Sequence, residues 1–201
     1  MSYDMEWRSR GIVEGLVRCF IAVDVYDHAL KESILEVQRR LESLDAKFTF
    51  VDPEKMHLTL KFLGEVSDSK IGEIKESLGD LKFPPFDLRL EGVGVFPNPN
   101  RPRVIWIGVS EGADEISKLA EKVDDSLRRL GFPSETKGFK PHLTIARVKR
   151  GGGAALARIL QEYSLRDFGT SKVESVKLKK SVLTPSGPIY TTLHEWKASQ
   201  G

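Results

Sequence analysis

Hydrophobic positions along the chain follow two patterns, short β-branched or aromatic runs and longer runs with helical spacing. The short runs are typical of strands. They predict strands at Arg18–Val25, Lys47–Val51, Met56–Leu63, Phe86–Phe96, Arg103–Val109, His142–Val148, Lys172–Leu183 and Ile189–Trp196, the last two forming a hairpin around Pro185–Pro188. Apolar residues that recur every three or four positions predict amphipathic helices. Three of these helices are Asp27–Leu44, Ala113–Leu130 and Ala154–Tyr163. A fourth is capped by Ser67 or Asp68 and carries Ile71, Ile74, Leu78 and Leu81.

The order of strand, helix, histidine-bearing strand and helix occurs twice along the chain. Arg18 opens the first strand and Arg103 opens its counterpart, 85 positions later. The same interval separates His57 from His142. A fixed internal period indicates a duplication, which predicts two similar lobes related by an approximate two-fold axis. The alternative is a coincidence between two unrelated α/β stretches.

One domain is therefore expected over residues 17–197. It contains an internal repeat of about 18–102 and 103–197. Residues 1–16 are polar and fall outside the repeat, so they are expected to be an N-terminal extension that is either flexible or non-native. Residues 198–201 are expected to be a short tail.

Composition narrows the class of protein. The chain has 201 residues, of which 40% are hydrophobic and 30% charged, as in globular rather than disordered proteins. No apolar run approaches the roughly 20 residues that a membrane helix needs. Cys19 is the single cysteine and lies in an apolar run, which favours a core position and a cytoplasmic location. The net charge of +2 does not by itself indicate a nucleic-acid partner. Most of the basic clusters are expected to be solvated surface, although such clusters can also bind phosphates. They are Arg101–Arg103, Lys137–Lys140, Arg147–Arg150 and Lys177–Lys180.

The two histidine strands share a four-residue pattern, His-x-Thr-x with apolar residues at both variable positions. It occurs as His57-Leu58-Thr59-Leu60 and as His142-Leu143-Thr144-Ile145. Alternate residues of a strand face the same side, so each strand presents an imidazole and a hydroxyl roughly 6–7 Å apart along the chain. A random chain of this composition would contain about 0.03 such motifs. Two copies at matching points of a repeat are therefore a strong signal of a shared site.

This pair of motifs suits the opening of a cyclic phosphodiester. That reaction needs a base to activate water and an acid to protonate the departing oxygen. An ordinary imidazole has a pKa of about 6.5, so two histidines can supply one neutral base and one charged acid at neutral pH. The hydroxyls of Thr59 and Thr144 can donate to the non-bridging phosphate oxygens, where charge accumulates.

Other kinds of catalytic site have little support in the sequence. His57 and His142 have no histidine neighbours at metal-binding spacing, and the chain has no cysteine pair, so no metal or other cofactor is expected. Neither the G-x-S-x-G pattern of serine hydrolases nor a phosphate-binding P-loop occurs. His28, beside a predicted helix cap, and His194, in the last strand, are interpreted as structural or solvent-facing.

The chain resembles the 2H phosphoesterase superfamily, and within it the LigT/ThpR-like RNA 2′,3′-cyclic phosphodiesterases, formerly called 2′-5′ RNA ligases. The resemblance extends from about Val17 to Lys197. Its landmarks are RCFIAVDV at Arg18–Val25, HLTLKFLGEV at His57–Val66, GVGVFPNPNRPRVIWIGV at Gly92–Val109, FKPHLTIAR at Phe139–Arg147 and GPIY at Gly187–Tyr190.

The resemblance implies a bilobal α+β fold in which both motif strands line a central groove. It implies that His57 is the proton donor to the ribose 3′ oxygen, that His142 is the proton acceptor from water, and that the product is a 2′-phosphate. It also implies that Arg147 contacts the phosphate, and that reversible 2′-5′ ligation accompanies hydrolysis. The family tends to stack a base on an aromatic residue of the first strand, and Phe20 is the candidate, although the sequence does not say which way it faces.

The expected partners are RNA ends or oligonucleotides that carry a 2′,3′-cyclic phosphate, with no membrane and no obligate protein partner. Two alternatives stay open. One is a phosphodiesterase for small cyclic phosphates, and the other is an RNA-binding or strand-joining module in which hydrolysis is incidental.

Overall fold

The computed structural model describes residues 15–25, 27–134, 138–185 and 187–199. Within these ranges the chain forms nine strands and four helices. In chain order they are β1 (Leu16–Asp24), α1 (His28–Glu42), β2 (Ala46–Phe50), β3 (His57–Ser67), α2 (Asp68–Ser77), β4 (Phe86–Phe96), β5 (Val104–Glu111), α3 (Ala113–Arg128), β6 (His142–Gly151), α4 (Gly153–Glu162), β7 (Asp167–Val173), β8 (Ser175–Thr184) and β9 (Gly187–Lys197). A single 3₁₀ turn, Pro53–Lys55, precedes β3.

The strands form two antiparallel sheets, which confirms the predicted bilobal α+β architecture. The first sheet has the strand order β3-β1-β8-β9, and the second has the order β2-β6-β5-β4-β7. Helices α2 and α3 pack against β3 of the first sheet, whereas α1 packs against β2, β6 and β7 of the second and α4 against β4. The helices therefore lie outside, and the opposite faces of the two sheets line a central groove.

Each sheet takes strands from both halves of the chain. After β3 of the first sheet, the chain crosses to the second sheet, where β4 pairs with β5. Strand β8 returns from the second half to pair with β1 in the first sheet. Helices are distributed in the same way, since α1 covers the second sheet and α3 covers the first. Neither sheet is completed by one half of the sequence alone.

Strand β1 shows how the sequence pattern separates the two faces of a sheet. Ile21 and Val23 are fully buried and belong to the hydrophobic core under the helices. Phe20 and Ala22 alternate with them and lie outside that core cluster, on the groove side. Helix α1 begins as the sequence predicts, because the Asp27 carboxylate accepts a hydrogen bond of 2.8 Å from the backbone N–H of Leu30.

The predicted strand Lys172–Leu183 is wrong as a single element. Lys172 and Val173 end β7, which pairs with β4 in the second sheet, and β8 begins at Ser175 in the first sheet. The chain changes sheets at Glu174 without a glycine or proline, so no turn signal marks the break.

The predicted extension of residues 1–16 lies outside the described residues up to residue 14, but Leu16 already belongs to β1 and pairs with Ser67. The internal repeat and its limits stay a prediction. Among the helices of the described ranges, none is long and apolar enough to cross a membrane.

Candidate active site

His57 and His142 open the two strands that carry the paired motif, β3 and β6. These two strands belong to different sheets and contact each other where the sheets meet. The Nδ1 atom of His57 lies 2.8 Å from the carbonyl oxygen of Lys55. The Nδ1 atom of His142 lies 2.7 Å from the carbonyl oxygen of Lys140. Both histidines therefore have the same backbone partner, the carbonyl two residues before them.

These hydrogen bonds fix the tautomer of both rings. A carbonyl oxygen can only accept, so Nδ1 must carry the hydrogen in each histidine. The nitrogen that gains or loses a proton is then Nε2 in both rings. The arrangement gives the groove two equivalent proton-exchanging atoms, one from each sheet.

The two threonines of the motif lie where the alternation places them. Thr59 and Thr144 are half-buried, while Leu58 and Leu143 between histidine and threonine are fully buried. Each imidazole therefore shares one face of its strand with one hydroxyl.

Strand β3 carries its histidine among aromatic rings. The centroid of the Phe20 ring lies 4.9 Å from that of His57, and the Tyr190 ring meets His57 edge-on at 5.1 Å. Phe20 and Tyr190 also contact each other at 5.3 Å. Phe20 therefore faces the groove side of β1, while Ile21 enters the core, which settles the orientation left open by the sequence.

The histidine of β6 has its own aromatic support. Phe96, the last residue of β4, meets the His142 ring edge-on at 5.0 Å, and Trp106 of β5 lies 6.5 Å from it. Trp106 also packs on Phe96 and over Gly94, the residue opposite it in the β4–β5 ladder. A Cβ atom at position 94 would lie 2.3 Å from the indole ring, so only glycine leaves room for Trp106 here.

A buried charge cluster lies beside His57. The side chain of Asp24 is 5% exposed and forms ion pairs with Lys179 and, at 2.9 Å, with Lys177. The pKa of His57 is lowered to about 4, chiefly by burial and in part by the positive charge of Lys179. The Lys55 carbonyl and the Asp24 carboxylate oppose this shift. His57 is therefore neutral at pH 7 in this environment.

This cluster is an exception to the expectation that most Lys/Arg runs of the chain are solvated. Lys179 is only 7% exposed and Lys177 is half-buried, so this part of the Lys177–Lys180 run is not solvated surface. The burial is possible because Asp24 supplies the opposite charge within the same network.

Arg147 is exposed on β6, five residues after His142. Its charge reaches Tyr190 in the opposite sheet: burial raises the pKa of the Tyr190 hydroxyl, and Arg147 acts in the other direction. The structure therefore brings Arg147 electrostatically close to the aromatic residues around His57.

The other two histidines and the cysteine lie apart from these groups. His28 is exposed at the first turn of α1, and His194 is exposed and packs edge-on against Trp196 at 4.7 Å. Cys19 is 1% exposed in the core, and burial raises its pKa to about 11, as expected of a packing residue. Within the described residues no group of three His, Cys, Asp or Glu side chains could hold a metal ion.

Several residues that surround the histidines were not predicted as part of the site. Tyr190 lies in the GPIY landmark, and this motif was the only signal for it. The others are Phe96, Trp106, Asp24 and Lys179, which come from four different strands. They reach the histidines only through the pairing of those strands, and no local pattern encodes that pairing.

Comparison with known proteins gives consistent matches along the chain. The family model described as LigT like Phosphoesterase matches residues 23–106 and again residues 107–190. The RNA 2′,3′-cyclic phosphodiesterase of Archaeoglobus fulgidus is 45% identical over 177 residues, covering 88% of this chain and 98% of that protein. The corresponding protein of Aeropyrum pernix is 43% identical over 150 residues, covering 74% and 85%.

Solved structures agree with these matches. The crystal structure of TT0787 of Thermus thermophilus has a TM-score of 0.76 and 30% identity, covering 90% of this chain and 97% of that one. E. coli LigT complexed with 3′-AMP has a TM-score of 0.72 and 25% identity, covering 93% and 100%. With two consecutive matches to the family model and relatives this similar over most of their length, the chain belongs to the LigT-like phosphoesterase family.

Proposed function

We propose that this protein hydrolyses 2′,3′-cyclic phosphodiester ends of RNA to 2′-phosphomonoesters, with His57 and His142 as its acid–base pair and without a metal ion. The observation that carries the proposal is the matched geometry of the two histidines. Each donates from Nδ1 to a backbone carbonyl, so that each can exchange a proton at Nε2. The names of relatives that are 38–45% identical, RNA 2′,3′-cyclic phosphodiesterase, support the substrate class.

In the proposed reaction, His142 accepts a proton from water as the water oxygen attacks phosphorus. The bond between phosphorus and the ribose 3′ oxygen breaks, and His57 donates a proton to that oxygen. The phosphate stays on the 2′ oxygen. The Thr59 and Thr144 hydroxyls donate to the non-bridging oxygens, and Arg147 neutralises the charge that develops there.

The low pKa of His57 adds a condition to its role as acid. The imidazole of His57 is neutral in the free protein, so it must take up a proton when the substrate binds. A phosphate anion beside the imidazole favours the charged form and raises its pKa. Protonation of His57 is then coupled to occupation of the site, and the acid is charged only when there is a leaving oxygen to receive the proton.

The same geometry accounts for ligation. If the 5′-hydroxyl of a second RNA takes the place of water, attack on phosphorus with loss of the 3′ oxygen leaves a 2′-5′ linkage. In this ligation His142 accepts the proton of the 5′-hydroxyl and His57 protonates the departing 3′ oxygen, as in hydrolysis. The two exchange roles only when the 2′-5′ linkage is cleaved back to the cyclic phosphate. We propose ligation as a second reaction of the one site, with the 5′-hydroxyl as nucleophile in place of water. A cytoplasmic location is proposed from the lone cysteine.

The test is to identify the product isomer from an RNA that ends in a 2′,3′-cyclic phosphate. A 2′-phosphate, identified by phosphorus NMR against authentic 2′- and 3′-phosphates, is the expected result. A 3′-phosphate would show that the 2′ oxygen leaves and would overturn the assignment of His57 to the 3′ oxygen.

Two further arms of this assay separate the alternatives. Turnover in excess chelator tests whether the mechanism is metal-free. Activity that is lost in chelator and restored by a divalent ion would contradict it. Comparison of a cyclic mononucleotide with a cyclic-phosphate-ended oligonucleotide tests the substrate class. A strong preference for the mononucleotide would favour a phosphodiesterase for small cyclic phosphates, and binding without turnover would favour an RNA-binding module.

A further inference from the structure

Strands β3 and β6 contain a β-bulge at the same distance from their histidines. In β3 the register with β1 shifts between the pairs Ile21–Lys61 and Ala22–Thr59, which leaves Leu60 as the extra residue. In β6 the register with β5 shifts between Ile105–Ala146 and Trp106–Thr144, which leaves Ile145 as the extra residue. A bulge reverses the alternation of faces that follows it.

Because of these bulges, the fifth residue after each histidine returns to the histidine's side of the strand. In β6 this residue is the exposed Arg147. In β3 it is Phe62, whose side chain is 64% exposed although it is large and apolar. Phe62 and Arg147 therefore occupy matching positions of the two motif strands, one with an aromatic ring and the other with a cation.

The neighbours of Phe62 place it on the groove side of the first sheet. Its ring centroid lies 6.4 Å from that of Phe20, the ring that also contacts His57. Phe20 itself is only 4% exposed, because His57, Tyr190 and Phe62 pack around it. Phe20 thus has no open face to offer a base, and Phe62 is the most exposed ring of this cluster.

We infer that Phe62 stacks on the base of the nucleotide that precedes the cyclic-phosphate terminus, and so makes the enzyme prefer RNA ends over mononucleotides. This inference rests on the proposed function and extends it to a second nucleotide site. Aromatic side chains on a sheet surface are a common platform for the bases of single-stranded RNA.

The position of Phe62 along β3 favours the preceding base rather than the terminal one. Phe62 lies three residues beyond Thr59, which is about 10 Å along a strand. The half-buried ring of Tyr190, which contacts His57, lies nearer the phosphate and suits the terminal base, so Phe62, farther along β3, is left for the base that precedes it.

The experiment compares Phe62→Ala with the unchanged protein on two substrates, a 2′,3′-cyclic mononucleotide and a dinucleotide with the same cyclic terminus. Loss of one stacked base is expected to lower kcat/KM for the dinucleotide by about 5- to 100-fold. The mononucleotide should change by less than about twofold, because it does not reach the ring. Phe62→Trp should keep the preference, and Phe62→Leu, which keeps apolar surface without an aromatic face, should lose it.

Equal losses on both substrates, or no loss on either, would overturn the inference. Leu165→Ala is the matched control, since Leu165 is 82% exposed in the turn between α4 and β7. If the unchanged protein turns over neither substrate, the proposed function fails by itself. Binding of a dinucleotide and a mononucleotide that end in a 2′-phosphate then tests Phe62 alone, and equal affinities for the dinucleotide in Phe62→Ala and the unchanged protein would overturn it.

Discussion

Asp24 lies directly opposite His57 in the β1–β3 ladder, and its carboxylate is ion-paired with Lys179 from β8. One buried carboxylate therefore stands between a catalytic candidate and a buried cation. The carboxylate favours the protonated imidazole, whereas burial and Lys179 oppose it, and the opposing effects prevail. His57 is therefore neutral in the free protein, whereas a bound phosphate anion raises its pKa and favours the protonated ring.

The pH dependence of the rate should show that the pKa of His57 differs between the free protein and its complex with substrate. The rate at limiting substrate, kcat/KM, should follow a bell whose two limbs belong to the histidine pair. The acid limb reports the lower of the two pKa values of the pair, so it should lie near the pKa of about 4 that His57 has in the free protein. The acid limb of kcat, which reports the complex, should lie at higher pH because the phosphate anion raises that pKa. A rate that rises steadily from pH 5 to pH 10 would contradict the paired mechanism.

His57 should also make the free energy of unfolding depend on pH. Its pKa falls from 6.5 to about 4 on folding, so the unfolded chain binds more protons between these values. This contribution to stability is complete above pH 6.5 and is lost as the pH falls toward 4, by no more than about 3 kcal/mol. Urea unfolding at pH 5 and pH 7.5 measures it. His57→Asn should lose less stability between the two pH values than the unchanged protein, and an equal loss would assign the effect to other groups.

Replacement of either histidine should remove most of the chemistry. His57→Ala and His142→Ala should each lower kcat by about 10²- to 10⁴-fold, the usual contribution of one acid or base. The double variant should lose less than the product of the two single losses, because the pair acts as a unit. Thermal unfolding serves as the control, and all three variants should keep a cooperative transition. Near-normal kcat in either single variant would contradict the two-histidine mechanism.

Arg147→Ala should weaken the stabilisation of the negative charge that develops on the phosphate oxygens. We expect kcat/KM to fall by about 10- to 100-fold, in line with the loss of one charge-assisted contact. Arg150→Ala is the matched control, because it removes an exposed arginine from the same strand without touching the fifth position after the histidine. If the two variants behave alike, the effect belongs to the general charge of β6 and Arg147 has no special role.

The hydrophobic pattern was sufficient to place most of the elements and the faces of the motif strands. Helix α1 starts after its predicted cap, and β4 has the predicted limits Phe86–Phe96. The alternation in His57–Leu60 correctly separated groove from core, because a strand with one buried face has only one register that buries its apolar residues.

The surroundings of the histidines could not be read in the same way. Lysine runs are solvated in most proteins, so Lys179 was expected at the surface. Its burial depends on Asp24, a residue 155 positions earlier in the chain. Phe62 was equally hidden, because the bulge that turns it outward follows from pairing with β1 and has no signature in the letters HLTLKF.

The exchange of strands between the two sheets has a consequence for how the groove comes into existence during synthesis. When the first half of the chain has left the ribosome, β1 and β3 can pair, but the place beside β1 stays open until β8 is made. Strand β4 in turn has no partner before β5 follows it. A nascent chain therefore completes the groove only near the end of translation, when β8 takes its place beside β1. A polypeptide cut in the Pro97–Pro102 loop should behave as two complementary fragments, each inactive until it meets the other.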